Sequence, residues 1–163
     1  MGSFILSGNA GAGEFWPLGS EAETVARFQI TPRATIDVGD ACEGSGCVVT
    51  VGSQFSGFIN DSDSGVFDTR LYVGTGNRNF EFSITAGYTH LFGTEMLALN
   101  DGFVFGGAIE FNPIFFLTRQ PIWLTIGYDC RLFVGNDEMN NTHMVWAGLS
   151  LMLDWLWNPA RYA

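Results

Sequence analysis

Period-two alternation runs through most of this chain and constrains its fold more than any other feature. Across 122–134 one face reads Ile122, Leu124, Ile126, Tyr128, Cys130, Leu132 and Val134. The other reads Trp123, Thr125, Gly127, Asp129, Arg131 and Phe133. Residues 80–89 repeat the pattern, with Phe80, Phe82, Ile84, Ala86 and Tyr88 opposing Glu81, Ser83, Thr85, Gly87 and Thr89. Between 26 and 38, Phe28, Ile30, Ala34 and Ile36 oppose Arg27, Gln29, Thr31, Arg33, Thr35 and Asp37. A two-residue period places alternate side chains on opposite faces of an extended strand; a helix would need a period of 3.6.

On this basis strands are expected near 3–13, 25–38, 47–59, 66–75, 80–92, 102–117, 121–134 and 142–156. The first is weakened by Gly8, Gly11 and Gly13. Turn-forming runs such as Asn60-Asp61-Ser62-Asp63-Ser64-Gly65 and Asn100-Asp101-Gly102 separate them. Most are about as long as the roughly 9–11 residues a tilted strand needs to cross a bilayer. At 163 residues the chain is expected to form a single domain over 1–163. No apolar run is long enough for a spanning helix; the stretch from Met144 to Trp157 is broken by Ser150 and Asp154.

Alternation alone does not say which face meets water. A soluble barrel buries its apolar face, and a membrane barrel does the reverse. Charged residues make up only 15% of the chain, every basic residue is Arg, and Lys is absent. The polar face is instead crowded with Gly, Ser and Thr, a poor surface for bulk water. The apolar face is too bulky in nearly every strand to fill a narrow barrel interior. Aromatics also gather near strand ends, among them Phe80, Phe92, Phe103, Phe115, Trp155 and Trp157, as in interfacial girdles. The expected fold is therefore an all-β, up-and-down antiparallel transmembrane β-barrel of about eight strands, and a soluble lipocalin-like carrier is the weaker alternative.

The hairpin rhythm, the dyad pattern and a last strand carrying Gly148-Leu149-Ser150-Leu151-Met152-Leu153 resemble the small eight-stranded outer-membrane barrels of the OmpA/OmpX/OmpW type. The chain departs from that pattern by continuing through Asn158-Pro159-Ala160-Arg161-Tyr162-Ala163. The resemblance implies a bacterial outer-membrane location, with both termini periplasmic and loops near 14–24, 60–65, 93–101 and 135–141 facing outward. Met1-Gly2-Ser3 lacks the charged start and cleavage site of a signal peptide, so the chain is expected to be a mature form.

If the apolar face meets lipid, the charges lie in the lumen. Arg27, Arg33, Asp37, Asp68, Arg70, Glu81, Glu110, Asp129, Arg131 and Asp154 share that face. Charges near the membrane midplane are costly unless paired. Arg27, Asp68, Arg70, Asp129 and Arg131 are expected at one upper height, with Arg33 and Glu110 lower, as a salt-bridged plug. Phe58, Trp123, Phe133, Trp146 and Met152 on the same face could alternatively receive an acyl chain. Pro32 and Pro113 cannot donate to a ladder, so each is expected to mark a bulge, a local opening or a strand end. Such an opening would suit a conduit for small hydrophobic molecules.

Catalytic, metal and cofactor residues are not evident. The resemblance also reaches small barrels that modify lipid A with a rim His, a Ser and a carboxylate. His143 is expected at the rim, on the inward or loop side, yet Ser150 lies about 23 Å further along an extended strand. His90 falls on the apolar face. Cys42 and Cys47 flank a short loop and could form a disulfide, whereas Cys130 sits alone in an alternating stretch. Asp61-Ser62-Asp63-Ser64-Gly65 lacks the later ligands of a calcium loop and is read as a solvated turn, at most a weak divalent-ion site. A net charge of -10 without a basic stripe argues against nucleic-acid binding. Membrane lipid or lipopolysaccharide, and protein partners in the envelope, are the expected contacts.

Overall fold

A computed structural model of the chain describes residues 2–16, 21–38, 47–59, 65–77, 80–92, 101–112, 122–135 and 138–156. Eight strands follow in chain order: β1 (Gly2–Trp16), β2 (Glu23–Asp37), β3 (Val48–Ile59), β4 (Gly65–Gly76), β5 (Phe80–Phe92), β6 (Asp101–Phe111), β7 (Ile122–Gly135) and β8 (Glu138–Met152). Each pairs antiparallel with its sequence neighbours, and β8 returns to β1, so the sheet closes. Closure satisfies backbone groups on both sides of every strand, which lipid demands of any structure crossing it. With 15 residues in β1 and 11 in β6, the strands exceed the usual globular length of about 5–6.

The alternation resolves into two surfaces of opposite polarity. Phe28, Ile30, Phe55, Leu71, Phe82, Ile84, Phe105, Ile126 and Leu149 all point out and are exposed, and Leu71 reaches 72%. Arg27, Arg33, Asp68, Arg70, Glu110, Asp129 and Arg131 point in and are buried. Burying charge while exposing large apolar side chains on every strand has no rationale in water. It is what a barrel with lipid outside requires.

Three strands depart from the boundaries expected from sequence, β8 at both ends. β1 runs the full 15 residues despite its glycines. Gly11 stands opposite Gly148 on the closing seam, and a Cβ on Gly11 would meet Gly148 Cα at 2.6 Å. Glycine thus lets the two strands approach at that point. β8 begins at Glu138, because β7 offers it a partner down to the Gly135–Glu138 pair. The expected loop at 135–141 is therefore mostly paired strand. At its other end β8 stops at Met152 and turns into a 3-10 turn over Leu153–Leu156, where 142–156 was expected to be strand throughout. β6 ends at Phe111, and the remainder of the expected 102–117 strand lies largely outside the described residues.

Pro32 sits half-buried within β2. The β2–β3 pairing lapses at Thr31 and Pro32 and resumes at Arg33–Gly52 in the same register. An inserted residue would have shifted that register, so the expected bulge is absent and only the ladder gap exists. Pro113 and Cys42 lie outside the described residues. Cys47 is disulfide-bonded and Cys130 is free.

Leu71→Arg, at the middle of β4, is expected to lower bilayer stability by about 2–4 kcal/mol, the cost of a cation at midplane depth on a lipid face. Urea titration of the protein in vesicles reads this directly. A near-neutral change would mean that this face does not contact hydrocarbon.

Candidate functional site

The lumen carries the chain's chemistry, and its arrangement grows from a short repeated pattern. β4 contains Asp68-x-Arg70 and β7 contains Asp129-x-Arg131. Spacing of two puts both charges of each pair on the inward face. Three antiparallel steps separate β4 from β7, so these strands run in opposite directions across the barrel. The Asp of one pattern therefore meets the Arg of the other. Arg131 donates to Asp68 through Nη2 at 2.7 Å and through Nε at 3.2 Å, a forked contact. Arg70 bonds both Asp129 oxygens, with Nη2 at 2.9 Å from Oδ2 and Nη1 close against Oδ1. It also donates to Asp68 at 2.5 Å. Arg131 and Asp129 on the same strand are further apart, at 3.4 Å, so the main partner of Arg131 is Asp68 on the facing strand.

Arg27 joins this cluster from β2. Its Nη2 lies 3.7 Å from Asp129, its Nη1 donates to Gln29 at 2.6 Å, and its guanidinium stacks 3.6 Å over the Trp146 ring. Gly106 makes room at the centre, since a Cβ there would meet Arg70 Nη1 at 2.8 Å and crowd Asp129. All five charged side chains are almost wholly buried.

A second cluster surrounds Arg33. Its Nη1 donates to the Tyr72 hydroxyl at 2.8 Å, to Glu110 at 3.0 Å and to Glu81 at 3.2 Å. Tyr72 in turn donates to Glu81 at 2.6 Å. Glu81 and Glu110 are directly paired across β5 and β6, so one guanidinium serves two adjacent carboxylates. Ser150 links Asn9, at 2.9 Å, with Thr125, at 2.6 Å. In the first cluster three guanidiniums face two carboxylates, and in the second one faces two. Among the described residues the two imbalances cancel.

Apolar layers cap both ends. Phe15, Val25, Phe58, Val66, Leu91, Phe133, Met144 and Trp146 pack together beside the first cluster. Ile5, Trp123 and Met152 pack at the opposite end. The apolar lumenal side chains read from sequence as an acyl-chain receptor are thus occupied with one another. Between the charge clusters a cavity lined by Gln29, Gln54, Arg70, Tyr72 and Glu110 has room for little more than a water molecule. Among the described residues no group of three or more His, Cys, Asp or Glu could hold a metal ion.

Of the remaining charges, Asp37 is exposed at the end of β2 rather than buried in the lumen, and Asp154 belongs to the 3-10 turn. His143 does not face inward. It is exposed on the outer wall, where the Tyr128 hydroxyl lies 2.5 Å from its Nδ1, while Ser150 is buried inside. His90 is also on the outer wall, with Nδ1 2.5 Å from Asp101. Tyr72, Gln29 and Gly106 complete the clusters but have no charge to flag them in sequence. Their signal is only the parity they share with the inward Arg and Asp residues.

No family model and no curated protein matches the chain. Solved structures do. The N-terminal β-barrel domain of Pseudomonas aeruginosa OprF aligns with a TM-score of 0.52 at 8% identity, covering 93% of this chain and all of that domain. Neisserial surface protein A aligns with a TM-score of 0.50 at 11% identity, covering 93% of this chain and 98% of the other. The fold is that of the small eight-stranded outer-membrane β-barrels.

Removing one partner strands a buried charge, so Arg70→Met or Asp129→Leu alone is expected to cost about 3–5 kcal/mol. The double variant should cost clearly less than their sum, with a coupling of about 1–3 kcal/mol. Unfolding free energies in vesicles test this, and additive losses would exclude crosswise pairing.

Proposed function

We propose that this protein is an integral barrel of the bacterial outer membrane, a single domain over 1–163, with a structural or interaction role. The observation that carries the reading is the pairing of an apolar exterior with a lumen closed by two ion-pair clusters. A barrel filled in this way offers its outer wall and its loops, rather than a pore, as working surfaces. Both termini would lie at the periplasmic end and the acidic connections around 14–24, 60–65 and 93–101 would face outward. Membrane lipid or lipopolysaccharide contacts the wall, and envelope proteins contact the loops.

Catalysis is not part of this reading. His143 lies outside the lumen and Ser150 inside it, so the barrel wall separates the histidine from the serine nearest to it in sequence on β8. A conduit for small hydrophobic molecules draws support from the ladder gap at Pro32. Against it stand the apolar lumenal side chains, which fill one another's space.

The test is reconstitution. The chain is expected to fold only with detergent or lipid, to migrate anomalously in gels unless boiled, and to leave planar bilayers without steady conductance. A monodisperse folded protein in buffer alone would overturn the membrane assignment. Steady conductance, or hydrophobic solute uptake lost on filling the wall at Pro32, would overturn the closed-lumen assignment.

A further inference from the structure

Trp146 is buried on β8, and its indole N–H has no hydrogen-bond partner among the described residues. A buried donor in that state is uncommon and calls for a physical account. The indole lines the cavity between the two charge clusters. Its edge fills the space over Gly127, where a Cβ would meet Nε1 at 2.9 Å, and Arg27 covers its face. Glu110 lines the same cavity. Its Oε2 accepts from Arg33 at 3.0 Å, whereas Oε1 has a 3.5 Å contact from Ser150, at the limit of a hydrogen bond. Gln54 reaches the cavity from β3, buried and outside both clusters, with an amide able to donate and to accept.

The lining selects an occupant by charge and by size. Arg70 stands against a cation there, and Asp129 and Glu110 stand against an anion. The space admits little more than one water molecule. Its occupant must accept from an indole N–H and donate to a carboxylate, which a neutral hydroxylic molecule does and a bare ion does not. Resting on the closed-lumen reading above, we propose that the cavity is a binding site for one internal water, held by Trp146, Gln54 and Glu110. The water accepts from Trp146 Nε1–H and donates to Glu110 Oε1 and to the Gln54 side-chain carbonyl. It joins the two charge layers. Arg27, over the indole, belongs to the layer with the surplus guanidinium, and Glu110 to the layer with the surplus carboxylate. The apolar layers at both ends separate this water from bulk solvent, so it stays in place longer than the protein takes to tumble.

The experiment is ¹⁵N-edited rotating-frame Overhauser spectroscopy of the full chain in deuterated phosphocholine micelles. The Trp146 Nε1–H is expected to show a cross-peak to water protons, opposite in sign to the diagonal as dipolar contact requires. Hydroxyl protons of Ser83 and Thr85, which also line the cavity, could imitate it by exchanging with water. The peak should therefore persist in the Ser83→Ala, Thr85→Val double variant. It should be lost in Gln54→Met, which removes one holder, and in Ala108→Val, which fills the same space, each with heat-modifiable migration retained. The second of these keeps the test open if the first does not fold. No cross-peak in the wild-type chain, its loss with the hydroxyls, or its survival in both Gln54→Met and Ala108→Val would overturn the site and leave the closed barrel intact. Steady conductance in planar bilayers would instead remove the closed lumen, and the isolated water with it.

Discussion

Crosswise pairing between Asp68-x-Arg70 and Asp129-x-Arg131 is the contact on which the interior depends. A guanidinium taken from water into a closed lumen loses several kcal/mol of hydration, and only a geometrically good carboxylate partner returns it. The antiparallel course of β4 and β7 supplies that geometry from identical short patterns. Shifting either strand by one residue would turn its own two charges into lipid and bring Phe67 and Leu71 of β4, or Tyr128 and Cys130 of β7, inward. Register and charge pairing therefore enforce each other.

The same logic explains why the rest of the lumen is layered. Apolar clusters close both ends, and between them several of the polar groups find partners in Tyr72, Gln29, Ser150 and Asn9. Arg suits this setting better than Lys because its planar fork contacts two carboxylates and still lies over an aromatic ring, as Arg131 does with Asp68, Asp129 and Phe58. The absence of Lys from the whole chain fits a protein whose four described cations are all enclosed.

Much of the architecture was legible in the sequence because a two-residue period reports, residue by residue, which side of a strand a side chain takes. It identified the inward set on β2, β4 and β7 and the outward aromatics. Parity says nothing about position around the barrel, which depends on strand tilt and stagger. Hence Asp68, rather than its strand-mate Asp129, emerged as the main partner of Arg131 only in three dimensions. Parity also fails where alternation is weak. The polar pair Asn140-Asn141 reads as loop, yet β7 pairs with it. That loop reading carries over to the rim at His143, whose outward face is missed with it. Gly106 illustrates a third limit: its contribution is the space it leaves for Arg70 and Asp129.

The unequal division of charge between the two clusters has a consequence for how this sequence can change over time. One layer holds a surplus guanidinium and the other a surplus carboxylate, so residues that never touch are bound into one account of charge. Replacing Arg27 alone evens the groups of its own layer but leaves two carboxyl groups to one guanidinium among Arg33, Glu81 and Glu110. Substitutions in the two layers are therefore tied together, and descendants of this chain would exchange them as a pair across the barrel axis, not one at a time.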